Sequence, residues 1–235
     1  MNNKYVDFVS DEDFLECVKW VCESYPKDSE EIDMESLHRN TIDPFKLVFD
    51  VTKSELPVKN WIKTEQLRQQ DKTINNRIGE FHQKFLGKVK GWLDLGVGDE
   101  TKVDLKKEDD LIFIELKNKF NTMNSDATDK CRDKLEEAIK KNPKAKAYWG
   151  YIVSKKGDSG DTIWEKSGRE NNENIRKIWG TKVYELVTGD PNALEKVWNV
   201  LAEVIKDLTK SKYDLDKEDE YKLKEFFKLA FSQNY

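Results

Sequence analysis

The chain has 235 residues, with 41 lysines and arginines against 46 acidic side chains for a formal net charge of −5, and charged and hydrophobic residues each make up 37%. Seven Trp, eight Tyr and eleven Phe supply enough large apolar area for a core, which excludes a wholly disordered chain, and no apolar run approaches the ~18 residues of a membrane span. Three cysteines and two histidines argue against a disulfide framework and against a zinc site built from Cys and His alone; with no signal-peptide apolar segment at the N-terminus, the expectation is a reduced, cytoplasmic protein.

The predicted elements begin with helices. Ser10 followed by Asp13 reads as a capping box with Asp in the Glu/Gln position, and Phe14, Val18, Val21, Cys22 and Tyr25 continue as a helical stripe up to Pro26. Asp43-Pro44 is a second helix start, with Asp at the cap and Pro in the first turn. Over 58–89 the apolar spacing is helical again, with a break predicted at 73–76. His82 lies on the stripe of Ile78 and Phe85 and reads as a core histidine. Cys17 and Cys22 read as core or boundary residues, and Gly96-Val97-Gly98 as a hairpin turn and not a phosphate loop.

Strands are predicted at 102–105, 111–116 and 145–154. A basic amphipathic helix over 126–141, capped by Ser125, separates the second from the third. The polar stretch 155–178 reads as a long loop of the kind that often carries function, and 182–187 (KVYELV) as a fourth strand. Helical stripes at 194–208 and 221–230 close the chain. Helices, then β-β-α-β-β, then helices predict an α/β (α+β) fold, a small mixed sheet flanked by helices. The expected organisation is a single domain: 1–90 a helical N-terminal part, 91–190 the sheet core, 191–235 the C-terminal helices. There is no internal repeat and no Ser/His/Asp or Cys/His set.

The charge is segregated along this order. Residues 1–50 carry a net −8, 59–90 a net +5, 91–115 a net −5, 116–146 a net +4 and 147–235 a net −1. An acidic segment is thus flanked by basic ones. Solvated helix faces account for most such runs. The sharper reading is an anion-binding cleft around carboxylates that hold a cation, an arrangement suited to a polyanion beside a divalent metal.

The carboxylates that matter are Asp104 and Glu115. If the first two strands pair as a hairpin, the two can approach across it, and Lys117 shares a face with Glu115 because residues i and i+2 of a strand do. Two carboxylates suit Mg²⁺, a hard cation that prefers oxygen, and a lysine beside them can orient an attacking water or assist its deprotonation. An acid two residues before a lysine is a weak signal in a chain with 46 acids, and it occurs four times, at Glu100/Lys102, Asp104/Lys106, Glu115/Lys117 and Glu220/Lys222. Only Glu115/Lys117 ends a run as apolar as LIFIEL, where a charge costs several kcal/mol unless something is gained. The alternative for this pair is an ordinary salt bridge at a strand end.

Asp104 with Glu115-Leu116-Lys117 resembles the PD-(D/E)xK nuclease motif, with Val103 in place of the usual proline. ELKNKFNTMNSD (115–126), IDPFKLVFD (42–50), IGEFHQ (78–83) and KVYELVTGD (182–190) resemble, in the same order, blocks of the type II restriction endonucleases that cut GGNCC or GGWCC sites. The resemblance implies Mg²⁺-dependent hydrolysis of double-stranded DNA at a short near-palindromic GC-rich site, leaving 5′-phosphate ends. It further implies a homodimer matched to the two-fold site, a companion DNA methyltransferase and a bacterial cytoplasmic setting. Asp104 and Glu115 would be metal ligands and Lys117 the water-activating residue. Glu80 is a supporting acid from the preceding helix or an exposed helix charge.

Base contacts need bidentate side chains; Lys119, Asn121, Asn124, Arg169 and Arg176 are the candidates. Lys72, Arg77, Lys84, Lys130 and Lys134 are candidate phosphate contacts, and surface charge is the alternative for each. Two other functions fit the same residues: a structure-specific repair or junction-resolving nuclease of the same superfamily, and a non-catalytic DNA-binding module.

Overall fold

Strand β3 (Ile112–Lys119) reads IFIELKNK, and four consecutive residues, Phe113 to Leu116, are buried. Burial of successive residues means that both faces of the strand are covered, as the apolar run requires. The structure, a computed structural model, describes residues 3–26, 34–96 and 103–232. Within them β1 (Trp92–Asp94), β2 (Leu105–Lys107), β3, β4 (Lys146–Val153), β5 (Gly160–Ile163) and β6 (Ile175–Trp179) form one sheet in the order β1-β2-β3-β4-β6-β5. The β1-β2, β2-β3 and β5-β6 pairs are antiparallel, whereas β3-β4 and β4-β6 are parallel. The β3-β4 crossover is α5 (Ser125–Lys141), as a parallel pair demands.

Helix α5 packs on the sheet through Cys131, Leu135, Ala138 and Ile139, which meet Phe113, Ala147, Trp164 and Ile175. Alternation along the strands turns Ile114, Leu116, Tyr148, Ile152 and Ile178 to the other face. Gly150 shares that face. A Cβ there would stand 3.1 Å from Ile114 and 3.2 Å from Leu116, so the glycine lets neighbouring side chains close over β4.

The remaining helices are α1 (Asp11–Cys22), α2 (Met34–His38), α3 (Pro44–Lys53), α4 (Val58–Gly87), α6 (Thr181–Thr188), α7 (Ala193–Thr209) and α8 (Lys217–Phe231). The chain divides into two compact units, residues 1–19 with 79–235, and residues 20–78. In the first, Phe14, Phe81, Phe85 and Tyr184 form an aromatic cluster, with Phe14 and Phe85 centroids 4.7 Å apart. The Ser10 cap is present, with its Oγ accepting from the Asp13 amide at 3.1 Å. In the second unit Asp43 caps α3 by accepting from the Phe45 and Lys46 amides, and Trp61 donates to Asp50 at 2.9 Å.

The mixed sheet flanked by helices agrees with the expected fold, and several elements differ from it. KVYELV is helix α6, not a strand: Val183, Tyr184 and Val187 bury one helical face. Gly180, at φ +64, ends β6 just before it, and a Cβ there would meet the Ser159 hydroxyl. The strand that pairs with the far side of β4 is instead β6, which begins within the stretch 155–178 read as a loop; that stretch also holds β5. Helix α4 runs unbroken through 73–76. The α5 cap is Asn124, one residue before Ser125. The first predicted strand begins later, at Leu105, and β1 precedes it; residue 102 and Val97-Gly98 of the predicted hairpin turn lie outside the described residues.

Candidate active site

The hairpin β2-β3 sets Leu105 opposite Ile114. Asp104, one residue before β2, is locked to both neighbouring strands by backbone bonds: its amide donates to the Ile114 carbonyl at 3.1 Å, and its carbonyl accepts from the Leu95 amide at 3.0 Å. Its carboxylate then reaches across to β3, where Oδ2 accepts from the Leu116 amide at 2.7 Å. Glu115 projects to the face that α5 covers, and its side chain is 6% exposed.

Lys117 joins the two acids. Its Nζ lies 2.9 Å from Glu115 Oε1 and 3.3 Å from Asp104 Oδ2. A second ammonium arrives from α5: Lys134 Nζ lies 2.9 Å from both Glu115 oxygens. The cluster is therefore two carboxylates and two ammoniums.

Burial raises the Asp104 carboxyl above its ordinary value; Glu115 pushes the same way, and Lys117 and the Leu116 amide oppose it. For Lys117, burial works against the charge, but the Asp104 and Glu115 carboxylates outweigh it and hold the ammonium above its usual range. Cys131, beside the cluster on α5, is pushed up to about 12 by burial and then by Glu115, which favours the thiol over the thiolate near neutral pH.

Neighbouring strands extend the site in register. Glu115 pairs with Trp149, which pairs with Lys177; Lys117 pairs with Tyr151, which pairs with Trp179. Tyr151 and Trp179 are stacked, with centroids 5.9 Å apart and planes 7° apart. Lys177 sits over the Trp149 ring at 5.3 Å.

The carboxylates and lysine of the strand motif are thus brought together. Glu80 is exposed on α4, next to Gly79, where a Cβ would lie 3.6 Å from the Asn118 Cβ of β3. Lys119, Asn121 and Lys130 are exposed near the end of β3 and the start of α5, and Lys72 is exposed on α4. Lys84 is half-buried. Arg77 lies over the Trp20 ring at 3.4 Å.

Three candidates are otherwise engaged. Asn124 accepts from the Ala127 amide at 2.9 Å as the cap of α5. Arg169 is held by Asp133 at 2.7 Å and Glu136 at 3.2 Å, and Arg176 by Asp161 at 2.6 Å. Lys134, expected at a phosphate, sits on Glu115. The signal was its place among Cys131, Leu135 and Ala138, where a lysine interrupts the apolar stripe of α5 at helical spacing. The aromatic row of Trp149, Tyr151 and Trp179 was not anticipated as part of the site.

Among the described residues, no three His, Cys, Asp or Glu side chains converge as a metal cage. Two carboxylates nonetheless fit Mg²⁺, which is commonly held by one or two carboxylates with substrate phosphate and water completing the shell.

The family model described as Eco47II restriction endonuclease matches residues 6–210. The chain is 35% identical over 208 residues to the type II restriction enzyme Sau96I of Staphylococcus aureus, covering 84% of this chain and 78% of that protein. It is 34% identical over 210 residues to the type II restriction enzyme Eco47II of Escherichia coli, covering 85% and 86% respectively. No helix of the described residues is long and apolar enough to cross a membrane.

Proposed function

Because this chain belongs to the Eco47II restriction endonuclease family and is a type II restriction endonuclease, we propose that it hydrolyses duplex DNA with Mg²⁺ at a short, near-palindromic site of the GGNCC or GGWCC kind, leaving 5′-phosphate ends. The observation that carries this reading is the convergence of Asp104, Glu115 and Lys117 at the end of an otherwise apolar strand. Asp104 and Glu115 would hold the metal, which when bound neutralises charge on the scissile phosphate and lowers the pKa of water. The Leu116 amide keeps the Asp104 carboxylate turned toward the site. Lys117, an ammonium between two carboxylates, donates hydrogen bonds and so orients water or a phosphate oxygen. A two-fold site calls for a homodimer, and an unprotected genome calls for a companion methyltransferase. Glu80 stands as a supporting acid, and Lys119, Asn121 and Lys130 as exposed side chains between the motif and the first turns of α5 for DNA contact.

The test is digestion of plasmid DNA with Mg²⁺ by wild type beside Glu115→Ala, with the cut ends sequenced. A discrete fragment ladder, absent in the variant and ending in one recurrent sequence, is expected. Equal cutting by the variant, or ends without a common sequence, would overturn the reading.

A further inference from the structure

Glu115 receives two ammonium groups, and only one of them belongs to the strand motif. Lys117 contacts a single oxygen, Oε1, and also reaches Asp104. Lys134 lies 2.9 Å from both oxygens of Glu115, so it draws on the same lone pairs that a divalent cation would use. The lysine comes from a helix face that otherwise carries Cys131, Leu135 and Ala138, so its stem lies along apolar surface while its head neutralises a nearly buried acid.

The charge balance gives this contact a consequence. Two carboxylates and two ammoniums sum to zero. Adding a divalent cation would leave a net +2 in a partly buried cluster, which is costly. A phosphate offered to Lys134 removes that excess and gives the ammonium a second anion. We propose that Lys134 is a positioning residue, the resident counter-ion of Glu115, which opposes metal loading in the absence of DNA and yields the carboxylate when the phosphate backbone arrives. Metal and DNA then strengthen each other's binding through this one side chain, and the coupling is reciprocal. The proposal rests on the reading of Asp104 and Glu115 as metal ligands.

The experiment is calorimetric titration of the DNA-free protein with Mg²⁺, using wild type, Lys134→Gln, Lys134→Met, Lys134→Arg and Glu115→Gln, each checked for folding by circular dichroism. The two charge-removing variants should bind Mg²⁺ more tightly than wild type by about ten-fold, since a neighbouring positive charge has gone. Lys134→Arg, which keeps the charge, should stay close to wild type, and Glu115→Gln should lose binding. Unchanged or weaker binding in Lys134→Gln and Lys134→Met, with Glu115→Gln still defective, would overturn the counter-ion role alone. Wild-type binding by Glu115→Gln would remove the metal reading and this proposal with it. Repeating the titration with Ca²⁺ and a short GGACC duplex should show DNA tightening cation binding more in wild type than in Lys134→Gln; equal tightening would overturn the coupling.

Discussion

Glu115, on the strand face under α5, and Arg132, on α5 itself, are both nearly fully buried ions, and they are compensated by different kinds of partner. The Arg132 side chain is 1% exposed, and its guanidinium donates to the Trp164 carbonyl at 2.6 Å, the Glu170 carbonyl at 2.9 Å and Glu136 at 2.9 Å. Two of the three are backbone oxygens that cannot leave. Glu115 is met by the ammoniums of Lys117 and Lys134, side-chain heads on long stems, which another cation can replace. A buried charge held by fixed backbone groups locks a loop to a helix. One held by exchangeable side chains stays available to a ligand. The difference lies in the partners and not in the depth of burial.

The largest expected effect is at the exchangeable end. Glu115→Gln should lower cleavage by at least about a thousand-fold, because metal and water activation go together, while thermal unfolding shifts little. A variant that unfolds without a matching loss of specific activity would place Glu115 on the structural side of the comparison. The reverse holds for Arg132. Arg132→Met leaves the Trp164 and Glu170 carbonyls without their donor and Glu136 with Arg169 alone, so stability should fall by about 3 kcal/mol, read as a lower urea midpoint. Specific activity of the folded fraction should stay near wild type; a large loss there would show that the loop Arg132 holds takes part in the reaction.

The contrast also explains which parts of the site were legible in sequence. Glu115 and Lys117 stood out because LIFIEL is too apolar to end in two charges without a reason. Asp104 followed from a hairpin that the strand spacing implied. Lys134 reads in sequence as a phosphate contact or surface charge and not as a partner of Glu115, since that partner is on β3, far away in sequence. Strand β6 was hidden for a related reason. In IRKIW only Ile175 and Ile178 are buried, and Arg176 and Lys177 make the segment look like part of a polar loop. Its neighbour KVYELV looked like a strand from its β-branched and aromatic residues, although its burial follows a helix. Local composition misled where pairing and packing across the sheet decided the outcome.

His82 is a third kind of case, a titratable group kept neutral by burial and hydrogen-bonded to a fixed partner. Its Nδ1 lies 2.8 Å from the Tyr184 hydroxyl, and burial lowers its pKa from 6.5 to about 4. The unfolded chain takes up this proton near pH 6.5 and the folded protein only near 4. The stability His82 contributes is therefore complete above pH 6.5 and lost as the pH falls toward 4. Between pH 7 and 5 the loss should be about 2 kcal/mol, and His82→Asn should flatten that part of the stability curve. A wild-type curve no steeper than the variant's would mean that the imidazole charges in place without disturbing the aromatic cluster.

The smallest expected effect is at Asn124, where the two kinds of partner compete for one side chain. Its carboxamide oxygen caps α5 by accepting from the Ala127 amide, a fixed backbone partner, yet it also stands at the edge of the motif, where it was a candidate for reading bases. As a cap, Asn124→Ala should lower stability by about 1 kcal/mol and leave the sequence of the cut ends unchanged; Asn124→Asp, which keeps the acceptor, should restore the stability. As a base reader, the residue would have to present its amide to DNA, and Asn124→Ala would relax preference at one position of the site with little change in the urea midpoint. Because α5 also carries Lys134, a frayed first turn could loosen that lysine. Mg²⁺ titration of Asn124→Ala separates this from a base contact, since only fraying would shift metal affinity in the absence of DNA.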